Sequence, residues 1–235
     1  MKIIGLIGGM SWESSIEYYR IINQEVRAVL GGVHSAKSVM VSLDFGEIEE
    51  LQMKGDWEEA TRILIRSARE VESAGADFLL ICTNTMHLMA EEVQEGIDIP
   101  LLHIADATAR AVKAEGLKSV GLLGTRFTME KDFYRGRLEK KHQLRVIVPD
   151  QAGRDLVHNV IYDELVQGLI KEPSRQSYLE VIQNLVKEGA EGIVLGCTEI
   201  GLLIKGEDVQ VPVFDTMEIH ARAAVDAALG RYELS

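Results

Sequence analysis

The sequence predicts an α/β fold of two pseudo-symmetric lobes, each a roughly four-stranded parallel sheet flanked by helices, with the active site in the cleft between them. Two observations carry this. Short apolar runs rich in β-branched residues alternate with segments of helical period, and the two halves of the chain repeat each other. Parallel strands covered by helices on both faces read as continuous apolar runs.

The strand candidates, in chain order, are residues 3–7, 39–43, 78–82, 101–104, 120–123, 145–148, 192–195 and 213–214. Between them lie helical stripes. Ala60, Ile63, Leu64, Ser67, Ala68 and Val71 recur at three- and four-residue steps, as do Leu179, Ile182, Leu185 and Val186. Four prolines occur in the chain, and Pro100 and Pro212 open short strands.

The repeat rests on four landmarks in the same order. Residues 2–8 match 118–124 around Gly5/Gly121 and Gly8/Gly124, and Tyr18 then falls on Tyr134. Gly75-Ala76-Asp77 matches Gly189-Ala190-Glu191, and Ile99-Pro100-Leu101 matches Val211-Pro212-Val213. Ala109-Arg110-Ala111 continues the last match in Ala221-Arg222-Ala223. Two such units imply lobes at 1–105 and 106–216, with the boundary near 104–107 and a C-terminal helix, 217–235, packing back on the first lobe. Ligands of open α/β sheets bind outside the carboxyl ends of the strands.

Composition narrows the function. With 25 basic and 37 acidic residues among 235, the net charge is −12, which argues against nucleic acid. No run approaches the roughly 18 apolar residues of a membrane helix, and the start is not a secretory signal. Two cysteines cannot make a disulfide framework, so the reading is a cytoplasmic, reduced protein.

Chemistry concentrates at two strand ends. One is Leu80-Ile81-Cys82-Thr83-Asn84-Thr85-Met86-His87; the other is Leu195-Gly196-Cys197-Thr198-Glu199. Hydroxyl residues at matching strand-to-helix turns read either as simple caps or as a carboxylate site. The offset of 114 at Gly75/Gly189 makes Thr83, not Cys82, the mate of Cys197. Alternation along a strand then turns Cys82 into packing. A helix N-terminus beside Cys197 would lower its pKa.

Other signals are weaker. Gly5-Leu6-Ile7-Gly8-Gly9-Met10-Ser11 lacks dinucleotide-loop spacing and reads as a turn whose backbone approaches a small ligand. Six histidines are scattered without zinc-type spacing, so no metal is expected. Asp44, Glu47, Glu49 and Glu50 read as a solvated face, and Gln52 beside them as a surface residue of an amphipathic stretch.

Taken together, Gly8-Gly9-Met10-Ser11-Trp12-Glu13-Ser14, Asn84-Thr85-Met86-His87, Gly124-Thr125 and Gly196-Cys197-Thr198-Glu199-Ile200 resemble the cofactor-independent aspartate/glutamate racemase family, over essentially the whole chain. The resemblance implies a homodimer without pyridoxal phosphate or other cofactor, acting on a small amino acid, with one thiol per lobe flanking the substrate α-carbon. Where the family carries its first thiol, directly before Asn-Thr, this chain has Thr83; the second thiol is Cys197. That pattern resembles the L-aspartate/glutamate-specific subgroup. By the same resemblance Asn84, Thr85 and Thr198 hold the α-carboxylate and ammonium groups, and Met10 and Gln52 line the pocket. Two other readings remain open on the residues alone: a one-thiol decarboxylase of the same fold, and a non-catalytic amino-acid-binding protein.

Overall fold

The structure, a computed structural model, describes residues 1–234. The chain divides into two compact units. No helix among the described residues is long and apolar enough to cross a membrane.

The first unit comprises Met1–Ile104 and the chain from His220 onward. Its elements are β1 (Ile4–Gly8), α1 (Trp12–Leu30), β2 (Ser38–Ser42), α2 (Phe45–Lys54), α3 (Trp57–Ser73), β3 (Phe78–Ile81) and the short α4 (Ala90–Glu95). Among the described residues its sheet has three strands, all parallel, in the order β2-β1-β3. Every residue of β1 and β3 is buried. Helix α3 lays Ala60, Leu64, Ala68 and Val71 into the same apolar cluster as Ile7, Leu79 and Ile81, which is the stripe read from the sequence. Three helices start on side-chain caps that satisfy otherwise orphaned amides: Ser11 for α1, Asp44 for α2 and Asp56 for α3.

The strand expected at 101–104 is reduced to one parallel bridge, Leu79 to Leu101. Leu79 N donates to Pro100 O and Leu102 N to Leu79 O, both at 2.9 Å. The next helix, α5 (Ile104–Ala114), then begins, so the ladder has no room to continue.

The second unit, Ala105–Ile219, holds most of α5 and then β4 (Ser119–Gly124), α6 (Arg126–Glu130), α7 (Asp132–Gly136), β5 (Arg145–Ile147), α8 (Gln151–Asp163), α9 (Glu172–Lys187), β6 (Ile193–Gly196), α10 (Ile200–Leu203) and β7 (Val213–Asp215). Among the described residues its sheet has four parallel strands in the order β5-β4-β6-β7. Helix α9 buries Tyr178, Ile182 and Leu185 against them.

The last helix, α11 (Thr216–Ala228), starts in the second unit, and from His220 it belongs to the first. Lys2 N donates to Ala228 O at 2.9 Å. The helix stops earlier than the 217–235 expected, because Gly230 takes a left-handed φ of 75° just beyond its end. Ser235 lies outside the described residues.

The internal repeat is visible in side-chain contacts. Asp77 Oδ2 accepts from Ile3 N at the foot of β1, and Glu191 Oε2 accepts from Lys118 N and Ser119 N at the foot of β4. A Cβ on Gly5 would stand 2.4 Å from Val71 Cγ1, and one on Gly121 would stand 3.0 Å from Leu185 Cδ1. Each sheet thus admits its covering helix at a glycine. Tyr18 OH pairs with His220 Nδ1 at 2.9 Å, and Tyr134 OH with Thr108 Oγ1 at 3.3 Å. In each half, then, the buried tyrosine meets the helix that follows the other half's last strand.

Candidate active site

Sheet register positions the two candidate turns. Ile7 pairs with Ile81 in the first sheet, and Leu123 with Leu195 in the second. Thr83 and Cys197 each stand two residues beyond those partners, at the carboxyl end of a buried strand. Cys82, one residue nearer, donates its backbone N–H to Ile7 O at 2.9 Å and is fully buried. Burial pushes its thiol well above the usual range, which leaves it protonated.

In the first unit the chain leaving β3 does not enter an α-helix at once. It makes a 3₁₀ turn, Thr85–Met89, and Asn84 offers no side-chain cap. Asn84 and Thr85 are buried, while Thr83 is partly exposed. His87 closes the turn: its N–H donates to Asn84 O at 3.1 Å, and its Nδ1 lies 2.8 Å from Thr83 O. Gln52 is buried on α2, not at the surface, and its Nε2 donates to Met86 Sδ at 3.1 Å. Met10 lies in the same apolar cluster as Met86. The structure therefore ties Gln52 to the Asn84–Met86 turn and sets Met10 in the cluster beneath it.

The glycine turn after β1 is packed closely against its own chain. Gly9 has a φ of 86°, and a Cβ there would stand 2.1 Å from Leu43 O. Its N–H donates to Ser15 Oγ at 2.8 Å. The close backbone approach that demands glycine at this position is to the chain after β2.

In the second unit, Cys197 and Thr198 follow β6 directly. Cys197 Sγ donates to Glu199 Oε2 at 3.1 Å, and Thr198 Oγ1 donates to the same oxygen at 2.7 Å. All three residues are buried. Burial first, and the Glu199 charge second, hold the Cys197 thiol well above its usual range; the more distant Asp215 adds to this. The helix that was to lower this pKa is α10, a single turn whose N-cap, Glu199, makes no side-chain cap bond. Its amides are too few to offset a buried carboxylate beside the sulfur. This strand end thus holds a buried thiol hydrogen-bonded to a carboxylate.

Glu199 and His87 stand inside the motif stretches of the sequence, where the sequence alone gives neither a role. Glu199 is two residues from Cys197, and His87 four from Thr83, the separation at which a turn brings side chains onto one face. The scattered histidines also gather more than their spacing suggests. The His87 ring stands 4.6 Å from that of His103 and 5.8 Å from that of His220, all three buried. Among the described residues, no three His, Cys, Asp or Glu side chains assemble where they could hold a metal ion.

The family model of Asp/Glu/hydantoin racemases matches residues 7–224. The broad specificity amino-acid racemase RacX of Bacillus subtilis (strain 168) is 25% identical over 181 residues, 74% of this chain and 74% of that one. The solved structure of a candidate Asp/Glu racemase from Yersinia pestis is 55% identical, with a TM-score of 0.93, covering 97% of this chain and 100% of that one. An aspartate racemase homologue from Pyrococcus horikoshii OT3 is 36% identical, with a TM-score of 0.85 and the same coverage. The matched span opens in β1 and closes in α11, so it takes in both strand-end turns and the thiol–carboxylate pair, and the chain belongs to the Asp/Glu/hydantoin racemase family.

Proposed function

We propose that this protein interconverts the enantiomers of aspartate and glutamate without a cofactor, Cys197 taking the α-proton of the L-substrate. The observation that carries the reading is the bond from Cys197 Sγ to Glu199 Oε2, which pairs a nucleophilic sulfur with a base at a buried strand end. The thiol proton passes to the Glu199 carboxylate, and the thiolate so formed takes the α-hydrogen. The resulting carbanion is reprotonated on its other face by the Thr83 hydroxyl, which regains its proton from water, and Glu199 gives the thiol's proton up to the hydroxide so formed, which closes the cycle. A thiolate in a dry site is a soft base suited to a weak carbon acid, provided fixed donors stabilise the carbanion.

Asn84, Thr85 and Thr198 are assigned to the α-carboxylate and ammonium groups, and Met10 and Gln52 to the pocket lining. The resemblance to Asp/Glu racemases and the burial of these polar side chains support this. The same reading makes the protein a cytoplasmic homodimer independent of pyridoxal phosphate and of metal. Its two free, buried cysteines agree with a reducing compartment.

The test is proton NMR of L-aspartate and L-glutamate with the protein in deuterated water, after dialysis against chelator and with no pyridoxal phosphate. Loss of the α-proton signal together with appearance of the D-enantiomer is expected. Absence of exchange with both amino acids would sink the proposal.

A further inference from the structure

We propose that His87 is a positioning residue for proton transfer by Thr83, holding that residue through its backbone carbonyl; the inference rests on the role given to Thr83 above. The hydrogen bonds leave the ring one state. Its Nδ1 lies 2.8 Å from Thr83 O, and a carbonyl only accepts, so Nδ1 carries the hydrogen. Ile104 N donates to Nε2 at 3.2 Å, so Nε2 offers its lone pair. His87 is therefore a neutral imidazole of one tautomer, and neither nitrogen is left to act on substrate.

The ring cannot swing out of this arrangement without breaking a packed cluster. It is buried, and it lies against His103 and, edge-on, His220. His220 is itself pinned between Tyr18 OH and Leu102 O, at 2.9 and 2.8 Å. Thr83 is by contrast partly exposed, and it sits where β3 has ended. Its backbone has lost the ladder and is held from the side by His87. The second unit has no counterpart of this ring: 114 positions on from His87 stands Gly201, and Cys197 is held through its own side chain by Glu199. The two proton-transfer groups are thus fixed by different devices, and a change at His87 is expected to reach only one of them.

That separation gives a readout which a general loss of structure does not mimic. His87→Phe, His87→Asn and Thr83→Ala are compared with the unaltered protein on L-aspartate in deuterated water. NMR reads α-proton loss and chiral chromatography reads D-aspartate. In His87→Phe the ratio of inversion to exchange is expected to fall about tenfold or more, since a small displacement of a reacting group costs up to about a hundredfold, with exchange itself kept within about threefold. His87→Asn keeps an N–H donor near the Nδ1 position and is expected to hold the ratio within about threefold of the original.

Equal falls of both rates in His87→Phe would make the residue merely structural and overturn the proposal, as would an unchanged ratio. If His87→Phe does not fold, His87→Asn decides: a ratio about tenfold low in the folded variant overturns the donor role. Thr83→Ala separates the two readings. An unchanged ratio there removes Thr83 from the reaction, and the His87 proposal falls with it. A lowered ratio there beside an unchanged one in His87→Phe removes His87 alone.

Discussion

Cys197 Sγ stands 3.1 Å from Glu199 Oε2, and that oxygen also accepts the Thr198 hydroxyl at 2.7 Å. Two donors thus converge on one carboxylate oxygen. In the proposed reaction, forming the thiolate requires moving one proton across the path between sulfur and that oxygen.

The carboxylate should thus matter more than its charge suggests. Glu199→Gln removes the proton acceptor and is expected to slow α-proton exchange of the L-substrate by about a hundredfold or more, the usual scale for losing a general base. It also removes the negative charge that helps hold the thiol up. The midpoint of Cys197 alkylation by iodoacetamide should therefore move to lower pH in the variant, even as activity falls. A midpoint moving to higher pH would contradict the electrostatic account of the pair.

The two cysteines should separate cleanly. Cys197→Ser is expected to abolish α-proton exchange while circular dichroism and melting stay close to the original, because serine is nearly the same shape and its hydroxyl can still donate to Glu199 Oε2. Cys82→Ala should leave turnover nearly intact and cost about 1 kcal/mol in urea unfolding, as a fully buried small side chain is shortened. Loss of activity with unchanged stability in Cys82→Ala would mean that the strand register assigns the thiols wrongly.

Much of this arrangement was legible in the sequence, because buried strands and helical stripes have periods that single residues rarely break. The α3 stripe, and the matched glycines Gly5 and Gly121 at which each sheet admits its own covering helix, could be read from pattern and repeat. What failed were features set by distant chain. Gln52 looks like a surface residue on α2 because its partner, Met86, lies beyond β3. The demand for glycine at Gly9 is hidden because Leu43, which crowds it, follows another strand. The strand at 101–104 is cut short by the helix that starts at Ile104, which an apolar run cannot announce. Cys197's raised pKa was hidden for another reason: the helix expected to lower it lasts one turn, and the adjacent carboxylate folds back on the sulfur.

Burial holds the His220 imidazole at a pKa of about 4, against an ordinary 6.5, with the Leu102 carbonyl opposing the shift. The folded state thus favours the neutral ring. Its contribution is fully present above pH 6.5 and is lost as pH falls through 4, a difference of roughly 3 kcal/mol. His220→Gln retains a donor for Leu102 O and an acceptor for Tyr18 OH but does not titrate. The variant should be the less stable protein at pH 7, and the gap should narrow by about 2–3 kcal/mol by pH 4 in urea unfolding. A gap that stays constant with pH would show that folding does not lower the His220 pKa.

Thr83 and Cys197 are an unlike pair, a hydroxyl and a thiol at matching strand ends. A racemase has an equilibrium constant of one, so kcat/KM must be equal in the two directions. A hydroxyl in place of a thiol cannot make the enzyme one-way; it slows inversion both ways, as a poor acid in one direction and a worse base in the other. Removal of the L-substrate's α-proton by Cys197, and its return to the same face, need not involve Thr83. In deuterated water, L-aspartate or L-glutamate should therefore lose its α-proton faster than it inverts. Exchange of the D-enantiomer without inversion should be much slower, since it needs Thr83 as base. Thr83→Cys should bring inversion closer to exchange, because a thiol titrates near 8.5 in water and Thr83, unlike Cys197, is partly exposed and escapes part of the burial that holds a thiol protonated. The measurement is the ratio of the two initial rates in the first minutes. If exchange and inversion of the L-substrate coincide there, the hydroxyl transfers protons as well as a thiol does, and the assignment of unequal roles to the two strand ends is wrong.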